Sequence, residues 1–294
     1  MIRFEIPTRA APAARAFVAA AFGAALASCG GGVVPDPGGT SADVRLNCPS
    51  VCVASNTLDT SRITAYLYVV DDGSRTQAQA GFNTDGSLLH NVELDGDTLW
   101  LVDGSRQTRM LLARQGAWDF LLDLLTLGQP YLGDLSPQPT AARTYRFELR
   151  RATGTVTSTV TLPAPFELTA PGAGQAFSLG ATGVAIAVTS PLDTGNFATT
   201  FTCNDANGNQ TSNRVPDGQS FSATDASGLA FRFNVQAFLA SLEWDQDAYP
   251  PAPVTRCDVT LRVVDSAAGT LDNRFHAFSV LQATQIRTRQ IVLR

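Results

Sequence analysis

The chain contains no lysine, so all 21 of its basic residues are arginines, set against 26 acidic residues for a net charge of −5. An acidic surface without a basic block argues against a nucleic-acid groove and against flat electrostatic binding to anionic lipid. Histidine is almost as scarce, with only His90 and His276. Both lie in alternating runs, SLLHNVEL and RFHAFSV, which predict strand positions half facing solvent rather than a catalytic base. No GxSxG elbow, HExxH, CxxCH or glycine-rich phosphate loop appears, so the corresponding hydrolase, zinc-protease, haem and nucleotide chemistries lack a motif. Long hydrophobic runs are missing too. Residues 16–28, AFVAAAFGAALAS, fall short of the roughly 20 apolar residues that a permanent membrane helix needs.

That short run has a specific setting. Arg3, Arg9 and Arg15 precede it against a single Glu5, and LASCGGG follows. A basic head, an apolar run and small residues are the plan of an export signal. Cys29 followed by glycines and VVPDPGGTSAD reads as an attachment point with a flexible tether. The segment resembles the signal peptide of bacterial lipoproteins, whose lipobox of Leu, two small residues and Cys is matched by Leu26, Ala27, Ser28 and Cys29. The resemblance implies cleavage before Cys29, a diacylglycerol on its sulfur and acylation of its new amino group. Gly30, where an aspartate would favour retention at the inner membrane, implies an outer-membrane lipoprotein of a Gram-negative bacterium. Residues 1–28 are then a removed signal and 29–42 a tether. Several acyl chains, each CH2 contributing about 0.8 kcal/mol of burial, would hold the module at a bilayer surface. The remaining 266 of 294 residues carry 18 basic and 25 acidic side chains, a net charge of −7.

Beyond the anchor lie Cys48, Cys52, Cys203 and Cys257. An exported chain meets an oxidising compartment, where disulfides are expected. Four cysteines permit three pairings. The preferred one joins Cys48 to Cys52 across CPSVC and Cys203 to Cys257 between two strand candidates. A four-thiolate metal site competes poorly, because the spacings do not suit a zinc ribbon.

The rest reads as strand after strand. ITAYLYVV ends at Asp71-Asp72-Gly73, and TQAQAGF, SLLHNVEL, DTLWLVDG and TRMLLAR follow, with Asp103-Gly104 suiting a tight type I′ hairpin. TYRFELRR and TVTSTVTL flank Gly154 and both alternate, which predicts a hairpin with one wet face. The apolar stripe at positions 118, 121, 122 and 125 predicts a short helix within residues 115–128. NVQAFLASL, with Asn234 as a cap, predicts a second. The proline- and glycine-rich segment 162–174 marks a boundary. The expected architecture is all-β: two antiparallel, immunoglobulin-like β-sandwich domains, 43–163 and 164–294, with one or two short helices. The Cys203 to Cys257 spacing is compatible with an inter-sheet bridge. Trp244, however, lies near the second cysteine rather than shortly after the first, unlike a true immunoglobulin domain.

Two loops carry ligand-binding chemistry in principle. WDQDAYP places Trp244, Asp245, Asp247 and Tyr249 together, an aromatic and acidic set suited to sugar contact. Those acids, with one from the turn between Glu93 and Asp97, are also the raw material for a hydrolase acting on envelope polysaccharide. NDANGN places Asp205, Asn207 and Asn209 at alternate positions, as hard oxygen ligands for calcium would be. Gly208 comes early for a calcium loop and no closing glutamate follows, so an ordinary turn competes and no cofactor is required. The leading expectation is a non-catalytic binding or scaffolding module, with a glycan or an envelope protein as partner. A secreted hydrolase and a calcium-stabilised adhesion module are the alternatives.

Overall fold

The computed structural model describes residues 52–86, 90–112, 131–135, 138–192, 195–216, 220–224, 226–242 and 252–294. The lipobox with Cys29, the tether, Cys48 with its bridge to Cys52, the helix expected at 115–128 and the Trp244–Tyr249 loop lie outside these residues.

The described chain is almost entirely strand. Its first half holds β1 (Cys52–Ala54), β2 (Ile63–Asp71), β3 (Thr76–Thr84), β4 (Asn91–Glu93), β5 (Thr98–Asp103) and β6 (Arg106–Arg109). β7 (Leu111–Leu112), β8 (Tyr131–Asp134), β9 (Arg143–Arg151), β10 (Gly154–Leu162), β11 (Leu168–Ala170), β12 (Gln175–Phe177) and β13 (Val184–Val188) follow. The remainder comprises β14 (Asn196–Asp205), β15 (Gln210–Pro216), β16 (Phe221–Ala223), β17 (Ala230–Phe233), β18 (Val254–Ala268) and β19 (Val280–Leu293). One short α-helix, α1 (Val235–Ala240), follows β17. The expected Asn234 cap is present, its side-chain oxygen accepting the Ala237 N–H at 3.0 Å.

These strands form one 11-stranded sheet and two four-stranded sheets, β10-β9-β5-β6 and β11-β13-β17-β16. The long sheet runs β1-β4-β3-β2-β19-β18-β14-β15, with β7, β8 and β12 joined at its sides. Alternation explains how each element is used. In β9 the inward Tyr145, Phe147 and Leu149 are buried, as are Val156, Ser158, Val160 and Leu162 in β10. The apolar members of that set meet Ile63, Leu67 and Val69 of β2 and Ala78, Ala80 and Phe82 of β3 in one hydrophobic core. A second core joins Val184, Ile186, Phe231, Phe233 and Phe238 to Phe197, Phe201, Val259, Leu261 and Val263 of the long sheet.

β19 belongs to both cores through one face. Leu281 and Ala283 enter the first core, and Ile291 and Leu293 enter the second. Between them the same odd-numbered face carries buried Gln285 and Arg287. Gln285 donates to the Pro163 carbonyl at 3.0 Å, and Arg287 donates to Asp71 Oδ1 at 2.8 Å. Asp71 also accepts from Thr76 Oγ1 at 2.5 Å and from the Gly73 N–H at 2.9 Å. The segment leaving β10 therefore crosses a polar seam whose charges are paired, as burial requires.

The structure corrects the expectations in four places. The sheets are mixed rather than purely antiparallel, since β19 runs parallel to both β2 and β12. The hairpin between β5 and β6 turns on Gly104-Ser105, because Asp103 is itself paired with Arg106. A positive φ of 55° at Gly104 alone fits the type II′ geometry rather than I′. Cys203 and Cys257 are bonded, but within one sheet: they face each other in register on β14 and β18, 4.0 Å apart at Cα. Sheets packed face to face lie about 10 Å apart, and here phenylalanines rather than a disulfide fill that gap. Neither histidine, finally, lies in a strand: His90 is exposed just before β4, and His276 lies in a turn before β19.

Candidate functional site

The four-stranded sheet β10-β9-β5-β6 buries one face and leaves the other to solvent. On β5, Leu99 and Leu101 point inward and are buried, so Trp100 between them points out. Trp100 is opposite Arg109 on β6 and Glu148 on β9. Arg150 is opposite Thr98, and Arg146 is opposite Val102. On β10 the outward positions are Thr155, Thr157, Thr159 and Thr161, the wet half of TVTSTVTL. The result is a polar sheet surface with one large aromatic group near its middle.

Hydrogen bonds fix that group in place. Trp100 Nε1 donates to Thr98 Oγ1 at 3.0 Å, and the Arg150 guanidinium lies 4.6 Å from the indole centroid, a cation–π contact. Arg150 also donates through Nη2 to Glu148 Oε2 at 2.7 Å and to Gln107 Oε1 at 2.8 Å. Arg146 Nε donates to Glu148 Oε1 at 2.8 Å. Burial by itself would raise the Glu148 carboxyl, but the hydrogen bonds from Arg150 and Arg146, with their charges, outweigh it and hold the group below its usual range. Glu148 stays ionised and aligns two arginines. Both remain accessible, with side chains 45% exposed for Arg146 and 34% for Arg150.

The sites suggested by the sequence are placed differently. Asp205 Oδ1 accepts the backbone N–H of Asn207 at 2.9 Å and of Asn209 at 2.7 Å, while Oδ2 accepts Asn209 Nδ2 at 2.8 Å. These bonds close a turn over Gly208, whose φ is 82°, and a cation would have to displace them. Among the described residues no group of three or more His, Cys, Asp or Glu is placed to hold a metal ion. Asp97 is not part of an acidic cleft: it is buried against Arg151 at 3.0 Å. The exposed His90 gives its carbonyl to the Thr84 N–H, bordering β4. His276 Nδ1 accepts the Phe278 N–H at 3.3 Å, and the two rings meet edge to face. Nearby, Asp85 is held by Arg62 at 2.6 Å, and Ser279 Oγ accepts the Ala65 N–H.

Neither a protein-family model nor a curated protein matches this sequence. The exposed face of β10-β9-β5-β6 is therefore the feature from which a function can be built. Trp100 is legible in the sequence as an outward residue, since LWL flanks it with two leucines of core type. Its arginine neighbours are not, because Arg146 and Arg150 reach it only through strand register.

Proposed function

We propose that this protein is a lipid-anchored, non-catalytic binding module of the bacterial cell envelope, built from two joined β-sandwiches of immunoglobulin-like character. The observation that carries the binding role is Trp100, held in a solvent-facing position by Thr98 and Arg150 on a sheet whose other face is core. A large aromatic side chain kept rigid at the surface loses little conformational freedom on contact, which suits recognition. The lipobox at residues 26–29 supports attachment at Cys29, and the glycine-rich segment after it supports reach from the membrane.

Mass spectrometry of the mature amino terminus tests the anchor. The expected product begins at residue 29, carries diacylglycerol and acyl groups, and partitions with detergent, whereas the C29S variant is soluble or unprocessed. An intact Met1, or a mature product starting elsewhere, overturns the anchor. Release of soluble product from any envelope polysaccharide incubated with the purified protein overturns the non-catalytic part.

A further inference from the structure

The charge of the exposed face differs in sign from that of the chain. Among the described residues, Arg109, Arg146 and Arg150 stand around Trp100 against Glu148 alone, three positive charges to one negative, on a protein whose net charge is −5. A basic patch of this kind on an acidic protein selects for an anionic partner, and it is strongest where the groups are already aligned. The hydrogen bonds in the face use Nε of Arg146, and Nε and Nη2 of Arg150. Among the described residues Arg146 Nη1 and Nη2 and Arg150 Nη1 donate to no side chain or carbonyl, and Arg109 is exposed at the edge of the sheet. Guanidinium donors of this type match carboxylates in a planar, bidentate geometry.

We infer that this face binds an anionic polysaccharide, a carboxylate-bearing glycan chain laid across β6, β5 and β9 over Trp100. The inference rests on the binding-module reading and names the class of its ligand. A sugar ring offers C–H groups to an aromatic surface and hydroxyls to polar side chains. The face supplies both, with Trp100 as the platform and Gln107 and the β10 threonines as hydroxyl partners. Strands lie about 4.8 Å apart, so the rank Arg109–Trp100–Glu148 spans about 10 Å, the scale of two linked sugars. Uronate carboxylates along such a chain meet Arg109 on one side of the indole and Arg146 or Arg150 on the other. A protein partner fits less well, because protein interfaces centre on a desolvated apolar core, and on this face the apolar side chains are Trp100 and Val102, the latter already buried, among threonines and arginines. A single-stranded nucleic acid fits less well, because such sites stack successive bases on several aromatic side chains, and the described residues of this face offer one ring, Trp100.

The test is affinity electrophoresis of the purified full chain in detergent, through gels containing polygalacturonate, neutral dextran or single-stranded DNA. The expected result is retardation by polygalacturonate alone, weakening as salt rises. R109E changes an exposed edge residue and should weaken binding several-fold while leaving the thermal midpoint unchanged. W100A should weaken it about tenfold or more, and a matched far-ultraviolet circular dichroism spectrum shows that the fold persists. Equal retardation by dextran or by DNA overturns the inference, as does unaltered binding by both R109E and W100A. Absence of retardation overturns it as well, while mass spectrometry at Cys29 tests the anchored-module reading independently of any glycan.

Discussion

Arg151 shows how single side chains tie the fold together. It ends β9, where its Nε donates to Asp97 at 3.0 Å and its Nη1 to Thr60 Oγ1 at 2.7 Å. Its Nη2 donates to the carbonyls of Ser55 at 2.5 Å and Leu58 at 2.7 Å. The side chains of Arg151 and Asp97 are only 5% and 3% exposed, so each charge depends on the other. Replacing Arg151 by Met strands a buried carboxylate and three acceptors. The expected loss is about 3–5 kcal/mol, read from the urea midpoint, and a second change, D97N, should restore part of it. Tyrosines give a pH-dependent counterpart. Burial pushes the phenols of Tyr68, Tyr131 and Tyr145 up to about 12. An unfolded tyrosine ionises near pH 10, so between about pH 10 and about 12 the unfolded chain loses protons that the folded chain keeps. The contribution of these tyrosines to stability is therefore constant below about pH 10 and falls above it, by up to about 1.4 kcal/mol per pH unit for each. A phenolate absorbance titration of the folded protein should show these three groups titrating late. Normal titration of all tyrosines near 10 would contradict their burial.

At the scale of the element, β14 and β18 make a useful case because a covalent bond reports on their register. The bridge closes a loop with a sequence separation of 54 between Cys203 and Cys257. A chain-entropy estimate for a loop of that length gives roughly 4 kcal/mol. The C203A/C257A variant should therefore show a urea midpoint lowered by about that much, and an unchanged midpoint would contradict a bond at the centre of a packed core. The pairing of these cysteines is legible in two strand patterns, but the sheet that they share is not, because alternation says which face a residue takes and not which strand lies beside it. The same limit explains the other outcomes. TVTSTVTL and TYRFELRR alternate cleanly, and their hairpin is present in full register. Asn234 before an apolar stretch suffices for α1. RFHAFSV misleads because its backbone makes successive turns rather than a strand: the Phe275 N–H donates to the Asp272 carbonyl at 3.2 Å and the Ser279 N–H to the His276 carbonyl at 2.9 Å, with Asp272 and Arg274 pinning the first of them. The parallel pair of β2 and β19 has no local signal at all, since no turn connects strands so far apart in sequence.

For the molecule as a whole, the consequence of that parallel pair is cooperativity. Val53–Arg294 form one compact unit containing two hydrophobic cores. A single strand, β19, contributes Leu281 and Ala283 to one core and Ile291 and Leu293 to the other. Along the same face the Asp71–Arg287 ion pair and the Gln285 bond to Pro163 lock β2 and the crossing segment onto it. Loss of β19 from either core would expose backbone groups that both cores keep paired, and would leave Asp71 charged without its buried partner. Unfolding of one core should therefore carry the other with it. Urea denaturation followed by tryptophan fluorescence and by far-ultraviolet circular dichroism should give one coincident transition. L281A and I291A alter different cores, yet each should lower that same midpoint by an amount corresponding to about 2–5 kcal/mol, with the slope m unchanged. Two separated transitions, with L281A moving one and I291A the other, would show that the shared strand does not couple the cores.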